Sequence, residues 1–328
     1  MSIAGPVAET QTATAPTDDL IQPFQIETMA AQGRLVRLGA AVDSVLSAHD
    51  YPEPVAELLG EAQAIAAALA GALKFDGVFT LQIKGEGPVT MLVADVTSEG
   101  AMRGYAQYKA EALARVMAGE TGPGPSEPVP RLFGNGHLAF TVDQGPDTQR
   151  YQGIVALEGA TLADCAHAYL RRSAQLDAAL KVAVGRVTGP DGAETWRAGA
   201  LMVQRMAEAG GAQPRSGEAD PERDDAWRRA VILMGSSTSE ELLDPALHPH
   251  RLLYRLFHED GVRVFAPTAL AMRCRCSRER VVRVLRSFPQ DEIETMKVDG
   301  LVRVTCEFCN SEYVFDDAAM AAIWATDA

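Results

Sequence analysis

Four of the chain's five cysteines lie in its final sixth, as Cys274-Arg275-Cys276 and Cys306-Glu307-Phe308-Cys309, with twenty-nine residues between the pairs. Each pair can offer two sulfurs to one point in space, and four thiolates satisfy the tetrahedral requirement of a structural zinc ion. The spacing therefore favours one zinc per chain held by Cys274, Cys276, Cys306 and Cys309. A segment of about sixty residues with so small a core needs such a staple. The same two pairs can close into disulfides once the metal is gone, so the residue types admit a redox switch as well as a staple. A third chemistry is a thioredoxin-like dithiol at Cys306 and Cys309, which would make the chain a thiol-disulfide oxidoreductase. That motif belongs at a helix start in a βαβ setting. Here the C-x-x-C sits within an expected hairpin, and the enzyme reading leaves Cys274 and Cys276 without a role.

Other reactive residue types carry less. Cys165 and His167 are two residues apart on an expected helix and do not face one another, so Cys165 reads as a buried core thiol. His248, His250 and His258 read as exposed helix ends. Gly85 to Pro88 and Gly134 to Gly136 are turns, since neither has the lysine and hydroxyl of a P-loop or the spacing of a dinucleotide fold. No nucleophile elbow, HExxH or paired acid and base is present in the sequence.

The elements that must position the cysteines follow from the hydrophobic pattern. Residues 1–20 are small, polar and proline-broken, expected to form a disordered tail without the features of a signal peptide. Residues 21–206 are expected to form a mixed α/β domain with antiparallel-rich sheets. Alternation around Leu35, Val36 and Leu38 predicts a strand, and Val42 to Leu73 predicts a helix broken at Tyr51 to Pro54. Beyond the break, Val55, Leu58, Leu59, Ala62, Ile65, Ala66 and Leu69 keep one apolar face. A meander over Val78–Gly85, Pro88–Val96 and Ala101–Lys109 follows, and then a strand pair over His137–Gly145 and Arg150–Gly159. Leu162, Cys165, Tyr169, Leu176 and Leu180 fall at roughly helical spacing, with strand character resuming around Val182 and Val184 and a last strand ending near Met206.

Composition changes at Ala207, and residues 207–268 read as a metastable helical linker. It opens with a Gly/Pro/charge-rich stretch. Short amphipathic helices follow, one with Trp227, Val231 and Met234 on a face and another with Leu252, Leu253, Leu256 and Phe257. Short helices between breakers are stable only when packed on a neighbour, and they melt first when that neighbour moves. A metal-dependent module beside such a segment strengthens the switch reading.

Residues 269–328 are expected to form the zinc module. Ser277 can cap a helix with an apolar stripe of Val281, Val284, Leu285 and Phe288. A helix around Asp291 to Lys297 and a hairpin with Cys306 to Cys309 at its tip come next, then a closing helix capped by Asp316 or Asp317. The fold class is α+β. With 44 acidic and 30 basic residues the formal charge is −14, which disfavours nucleic acid and anionic lipid and weakens a zinc-ribbon nucleic-acid binder. No run of about eighteen apolar residues predicts a membrane span, so a cytosolic protein is expected. In that reducing compartment four close thiols are more readily metal-bound than oxidised.

Residues along nearly the whole chain resemble one family. These are C-x-C-S-R-E-R at Cys274 to Arg280 with Cys306-x-x-Cys309, LSAHDYPEPV at Leu46 to Val55, LKFDG at Leu73 to Gly77, MRG at Met102 to Gly104, FGNG at Phe133 to Gly136, and RYQGIVALEG at Arg150 to Gly159. In order and spacing the chain is similar to the bacterial 33 kDa chaperonin, or heat-shock protein 33, family. The departures are a longer N-terminal tail, an insertion around Gly210 to Pro221, and Asn310 where the family often has glycine.

The resemblance implies a molecular chaperone, not an enzyme. It implies a reduced, zinc-bound, inactive state. Oxidants acting with unfolding stress would form Cys274–Cys276 and Cys306–Cys309 disulfides, release zinc and unfold the linker. The activated protein, often a homodimer, would hold unfolded client proteins without ATP until ATP-dependent chaperones take them over. A freed linker would present Trp227, Val231, Leu252, Leu253 and Phe257 as apolar surface for clients.

Overall fold

The computed structural model of the chain describes residues 17–119, 127–145, 148, 150–172, 176–189, 191–206 and 220–325. The tail up to residue 16 and most of the Gly/Pro-rich stretch, residues 207–219, lie outside them. The first element is a hairpin of β1 (Leu20–Ile26) and β2 (Ala31–Leu38). The single strand expected around Leu35 is thus two. The chain reverses at Glu27 to Ala30, where Ala30 takes a φ of 44°, and β1 starts inside the segment expected to be tail. The short Phe24-Gln25-Ile26 alternation was too brief to stand out against the longer run behind it.

After α1 (Ala40–Leu46), Pro52 and Pro54 pre-set the first turn of α2 (Glu53–Ala72). Fourteen of the twenty residues of α2 are buried, because small Ala and Gly side chains let it pack between two sheets. By length and composition α2 could cross a membrane, but 78% of that window is buried within the protein, as a core helix is.

The meander β3 (Val78–Gly85), β4 (Val89–Thr97) and β5 (Ala101–Tyr108) forms as expected. Two short helices that the sequence reading did not include follow, α3 (Ala110–Met117) and α4 (Pro128–Leu132). Next come β6 (Gly136–Asp143), β7 (Tyr151–Ala156), α5 (Leu162–Arg172), β8 (Ala178–Thr188) and β9 (Glu194–Arg205). Leu176 and Leu180, expected on the helix, are not part of it. The helix has ended at Arg172, and Leu180 is buried within β8, paired with Met202. The β-branched run that follows extends the strand backward over residues whose spacing also fits a helix.

The remaining elements are α6 (Pro221–Gly235), α7 (Ser239–Leu243), α8 (Pro249–Phe257), a 3-10 turn at His258–Asp260, and three short strands, β10 (Val262–Val264), β11 (Thr268–Ala269) and β12 (Ala271–Met272). The last part holds α9 (Arg278–Leu285), α10 (Gln290–Thr295), β13 (Val302–Thr305), β14 (Glu312–Phe315) and α11 (Asp317–Ala325).

The first sheet runs β10-β1-β2-β9-β8, with β11 also on β1. The second runs β12-β5-β4-β3-β6-β7, and β13 pairs with β14 alone. The first sheet is apolar on both faces. Val36, Ala200 and Met202 point to α2 in the main core, while the alternate residues Leu35, Leu201 and Val203 point outward to a second core under α6–α8.

Cations on the first sheet hold the carbonyl ends of these covering helices. Arg37, fully buried, donates to the Leu247 carbonyl at 2.7 Å and to that of Asp244. Arg197 donates to the Leu243 carbonyl at 2.7 Å and to both Asp18 oxygens. Lys181 reaches the carbonyls of Gly235 and Ser237.

One core group sets a pH dependence. Burial, then the nearby carboxylates Glu57 and Asp164, push the partly buried Glu61 of α2 from 4.5 up to about 7. The folded state thus holds this proton more tightly than the unfolded chain. The stability contributed by the protonated group is full below about pH 4.5, falls as pH rises and is gone above about 7. Glu61→Gln is expected to outlast the parent by up to about 3 kcal/mol in urea denaturation near pH 8, with the gain shrinking toward pH 5.

Candidate metal centre

The C-terminal module folds around a small core of Leu285, Ile293, Val302, Phe315, Met320 and Ile323. Ser277 caps α9 by accepting from the Arg280 N–H at 3.3 Å, and Asp316 caps α11 by accepting from the Ala319 N–H at 2.8 Å. The apolar stripe on α9 differs from expectation. Val281, Val282 and Leu285 face the core, whereas Val284 is 58% exposed and Phe288 38%. With α9 ending at Leu285, Phe288 falls beyond the helix.

Cys274 and Cys276 leave β12 on an extended segment, while Cys306 and Cys309 form a turn between β13 and β14. In that turn the Asn310 N–H donates to the Cys306 carbonyl at 2.8 Å, and the Cys306 N–H donates to that of Ser311 at 2.9 Å. Asn310 takes a φ of 58°, a left-handed conformation that asparagine tolerates nearly as well as glycine.

All four Sγ atoms lie within 4.8 Å of one another. The shortest approaches run across the two pairs, Cys274 to Cys306 at 3.6 Å and Cys276 to Cys309 at 3.4 Å. A tetrahedron with metal–sulfur bonds of about 2.3 Å has sulfur–sulfur edges of about 3.8 Å. The four thiols therefore fit a metal ion, and as a soft donor set they suit zinc.

Burial pushes the thiols of Cys274, Cys276 and Cys306 up. It acts on Cys309 as well, but hydrogen bonds from the Ser311 side chain and backbone and from the neighbouring thiols overcome it, bringing Cys309 down to about 6. Cys309 is thus the most acidic of the four thiols. Tyr313, hydrogen-bonded to Cys276, is pushed up to about 12 by that thiol and remains a donor.

Cys165 is fully buried, and burial raises its thiol to about 11, so it is the inert core residue expected. His167 accepts from the Leu180 N–H at 2.6 Å, His248 caps α8, and His250 bonds Gln22 at 2.9 Å. Leu252, Leu253 and Phe257 are fully buried against the first sheet, with Trp227 and Val231 partly buried beside them.

The sequence reading missed a set of residues that contact the cysteine loops from the second sheet, namely Asp95, Arg103 and Tyr105, with His49. Two of these, His49 and Arg103, sit in the LSAHDYPEPV and MRG segments. Family resemblance marked those segments without showing what they touch.

Fold and site together define a class, an α+β protein of two six-stranded sheets carrying a four-cysteine module able to hold a metal ion. The crystal structure of the 33 kDa chaperonin (heat shock protein 33 homologue) of Thermotoga maritima shares the fold, with a TM-score of 0.72 at 23% identity over 94% of this chain and 100% of that one. Among relatives named 33 kDa chaperonin, that of Caulobacter vibrioides is 43% identical over 304 residues, 92% of this chain and 96% of its own. That of Pseudomonas fluorescens is 38% identical over 312 residues, 94% of this chain and 95% of its own. The Hsp33 protein family model matches residues 19–316, and the chain belongs to that family of chaperones.

Proposed function

We propose that this chaperone is an ATP-independent holdase that is shut while its thiols are reduced and zinc-bound and is opened by their oxidation. The observation that carries the reading is the convergence of four thiols, one already acidic, in a module whose own core is only a handful of residues. Such a module depends on its metal for folding. When bound, zinc supplies the fixed charge and geometry that keep four thiolates together and reduced. Each pair of thiolates can give two electrons to one molecule of peroxide, which takes up two protons and leaves as two waters, and the pair becomes a disulfide. The pairs are Cys274 with Cys276 and Cys306 with Cys309, neighbours in sequence; the shortest sulfur approaches, 3.6 and 3.4 Å, run across them, from Cys274 to Cys306 and from Cys276 to Cys309, so the local pairing requires the sulfurs to regroup as the metal leaves. With its ligands consumed, zinc is released.

The working units are a domain over 21–206, a linker over 207–268 and a redox module over 269–328. Loss of the module frees α6–α8, whose Trp227, Val231, Leu252, Leu253 and Phe257 then hold unfolded client proteins. The cytosol keeps the thiols ready. Activated protein forms a homodimer and passes clients to ATP-dependent chaperones.

In the test, peroxide with mild heat should lower the free thiols from the five of the reduced chain to about one, the buried Cys165. It should also release about one zinc per chain and halt the light scattering of an unfolding client. Disulfide mapping should return the two local pairs. Equal protection by the reduced, zinc-loaded protein would overturn the reading.

The acidic Cys309 favours a second reading, a thiol-disulfide oxidoreductase using Cys306 and Cys309. Catalytic turnover of a disulfide substrate that persists in Cys274→Ser/Cys276→Ser would support it.

A further inference from the structure

The residues between the cysteines reach out of the metal centre. Arg275 separates Cys274 from Cys276, and its guanidinium is ion-paired with Asp95 of β4. The Asp95 side chain is only 5% exposed and is shared. Arg103 of β5 pairs with the same carboxylate at 2.8 Å, and the Thr80 hydroxyl donates to it at 2.7 Å. From the other loop, the Phe308 ring lies 3.7 Å under the Arg103 guanidinium and edge-on to Tyr105 at 4.9 Å. His49 donates to the Glu307 carbonyl at 2.8 Å. Arg103 thus bridges the two cysteine loops, one through Asp95 and one through Phe308.

Metal coordination alone places no demand on the residues between the ligands. These contacts do demand something in return. Arg275 and Phe308 belong to loops about thirty residues apart, and they meet Asp95 and Arg103 together where the four sulfurs converge.

The same place is where the chain from the linker is fastened. The Arg273 N–H donates to the Met102 carbonyl at 3.0 Å, next to Arg103, and the Ala271 N–H donates to that of Gly100 at 3.0 Å. At Gly100, φ is 82° and an added Cβ would run into the Ala269 carbonyl, so the approach requires glycine. One step back, the Leu270 N–H donates to the Asp19 carbonyl at 2.7 Å. β11 and β10 then lie along β1 and lead directly to α8. These are very short edge strands, so each holds only if its neighbour does.

We infer that Arg275, Asp95, Arg103 and Phe308 form a clasp through which the four-cysteine centre holds the β12, β11 and β10 edge, and through it α6–α8, on the first sheet. When the loops part, Arg103 loses Phe308 and Asp95 loses Arg275. The edge strand then peels from β5 and β1, and the helical cover loses its anchor. The inference rests on the reading that thiol state controls the cover, and it supplies the route.

Arg275→Gln and Phe308→Ala cut the clasp on the loop side with every cysteine kept, and Asp95→Asn cuts it on the sheet side, away from the loops. Each variant is assayed reduced, for zinc content, free thiols and hydrogen exchange. The clasp requires amide exchange over residues 249–273 to rise about tenfold or more at unchanged metal and thiol content. It also requires client protection at a lower oxidant dose. Exchange within about twofold of the parent in variants that keep their zinc would overturn it. A loop-side variant that sheds its metal is set aside, and Asp95→Asn decides; should Asp95→Asn fail to fold, Phe308→Ala decides. Failure of the underlying reading looks different, because the parent itself would then stay latent after its thiols are oxidised.

Discussion

Replacing Cys274 and Cys306 by serine is expected to take bound metal from about one ion per chain to none and to leave the protein protecting clients in the presence of reductant. The double substitution removes one sulfur from each pair, so neither loop keeps two ligands. Structural zinc sites contribute an apparent 10–16 kcal/mol or so of folding free energy in small modules. The buried core here is Leu285, Ile293, Val302, Phe315, Met320 and Ile323, too small to hold α9–α11 and the β13–β14 hairpin without that contribution. Backbone amides of residues 277–325 should lose protection and the near-ultraviolet signal of Trp324 should collapse, while the two sheets stay intact. Metal analysis, hydrogen exchange and client light scattering on one preparation check the result. A variant that is metal-free yet well folded over those residues would show that the thiols are not the staple.

Phe257→Ala is expected to open the helical cover with the metal still in place. Phe257 is fully buried and stacks on Phe24 of β1 at a ring separation of 5.7 Å. Truncating such a residue costs about 3–5 kcal/mol in lost transfer and cavity free energy. α7 spans five residues and α8 nine, too short to persist on their own propensity, so the loss falls on the cover and not on the sheet. In reduced protein with its full zinc content, limited proteolysis should cut within residues 221–257 at least about tenfold faster than in the parent. Client protection should appear without oxidant. Unchanged cleavage would mean that the second core is not what holds the cover down.

Much of this was legible in the residues. Two close cysteine pairs announce a four-ligand site, because the chemistry demands those types at that spacing. The meander, the hairpin at Cys306 to Cys309 and the Ser277 cap follow from alternation and turn residues. Where two periodicities coincide, the sequence was a poorer guide. Leu176 and Leu180 fit a helix in spacing but lie past its end, since strand pairing with β9 decides the matter and pairing is not local. Val284 and Phe288 look like core residues on a helical wheel, yet among the described residues Val284 lies on an exposed face of α9 and Phe288 falls past the helix end.

The contacts that join the metal module to the sheets were not legible at all. Asp95, Arg103 and His49 are ordinary polar residues in a strand, a strand and a loop, and only the fold brings them to Arg275, Phe308 and Glu307. The carbonyl-holding Arg37 and Arg197 were likewise hidden, because a buried arginine looks like any other until its partners, more than forty residues away, are in place.

Hydrogen exchange across Pro221–Phe257, followed in one sample with free thiols and released zinc during a peroxide titration, bears on the switch most directly. The cover should stay protected while five thiols are free, and its protection, the zinc and four of the thiols should be lost together as client protection appears. Protection of these helices that persists after four thiols are oxidised, or that vanishes while all remain reduced and the zinc is bound, would contradict it.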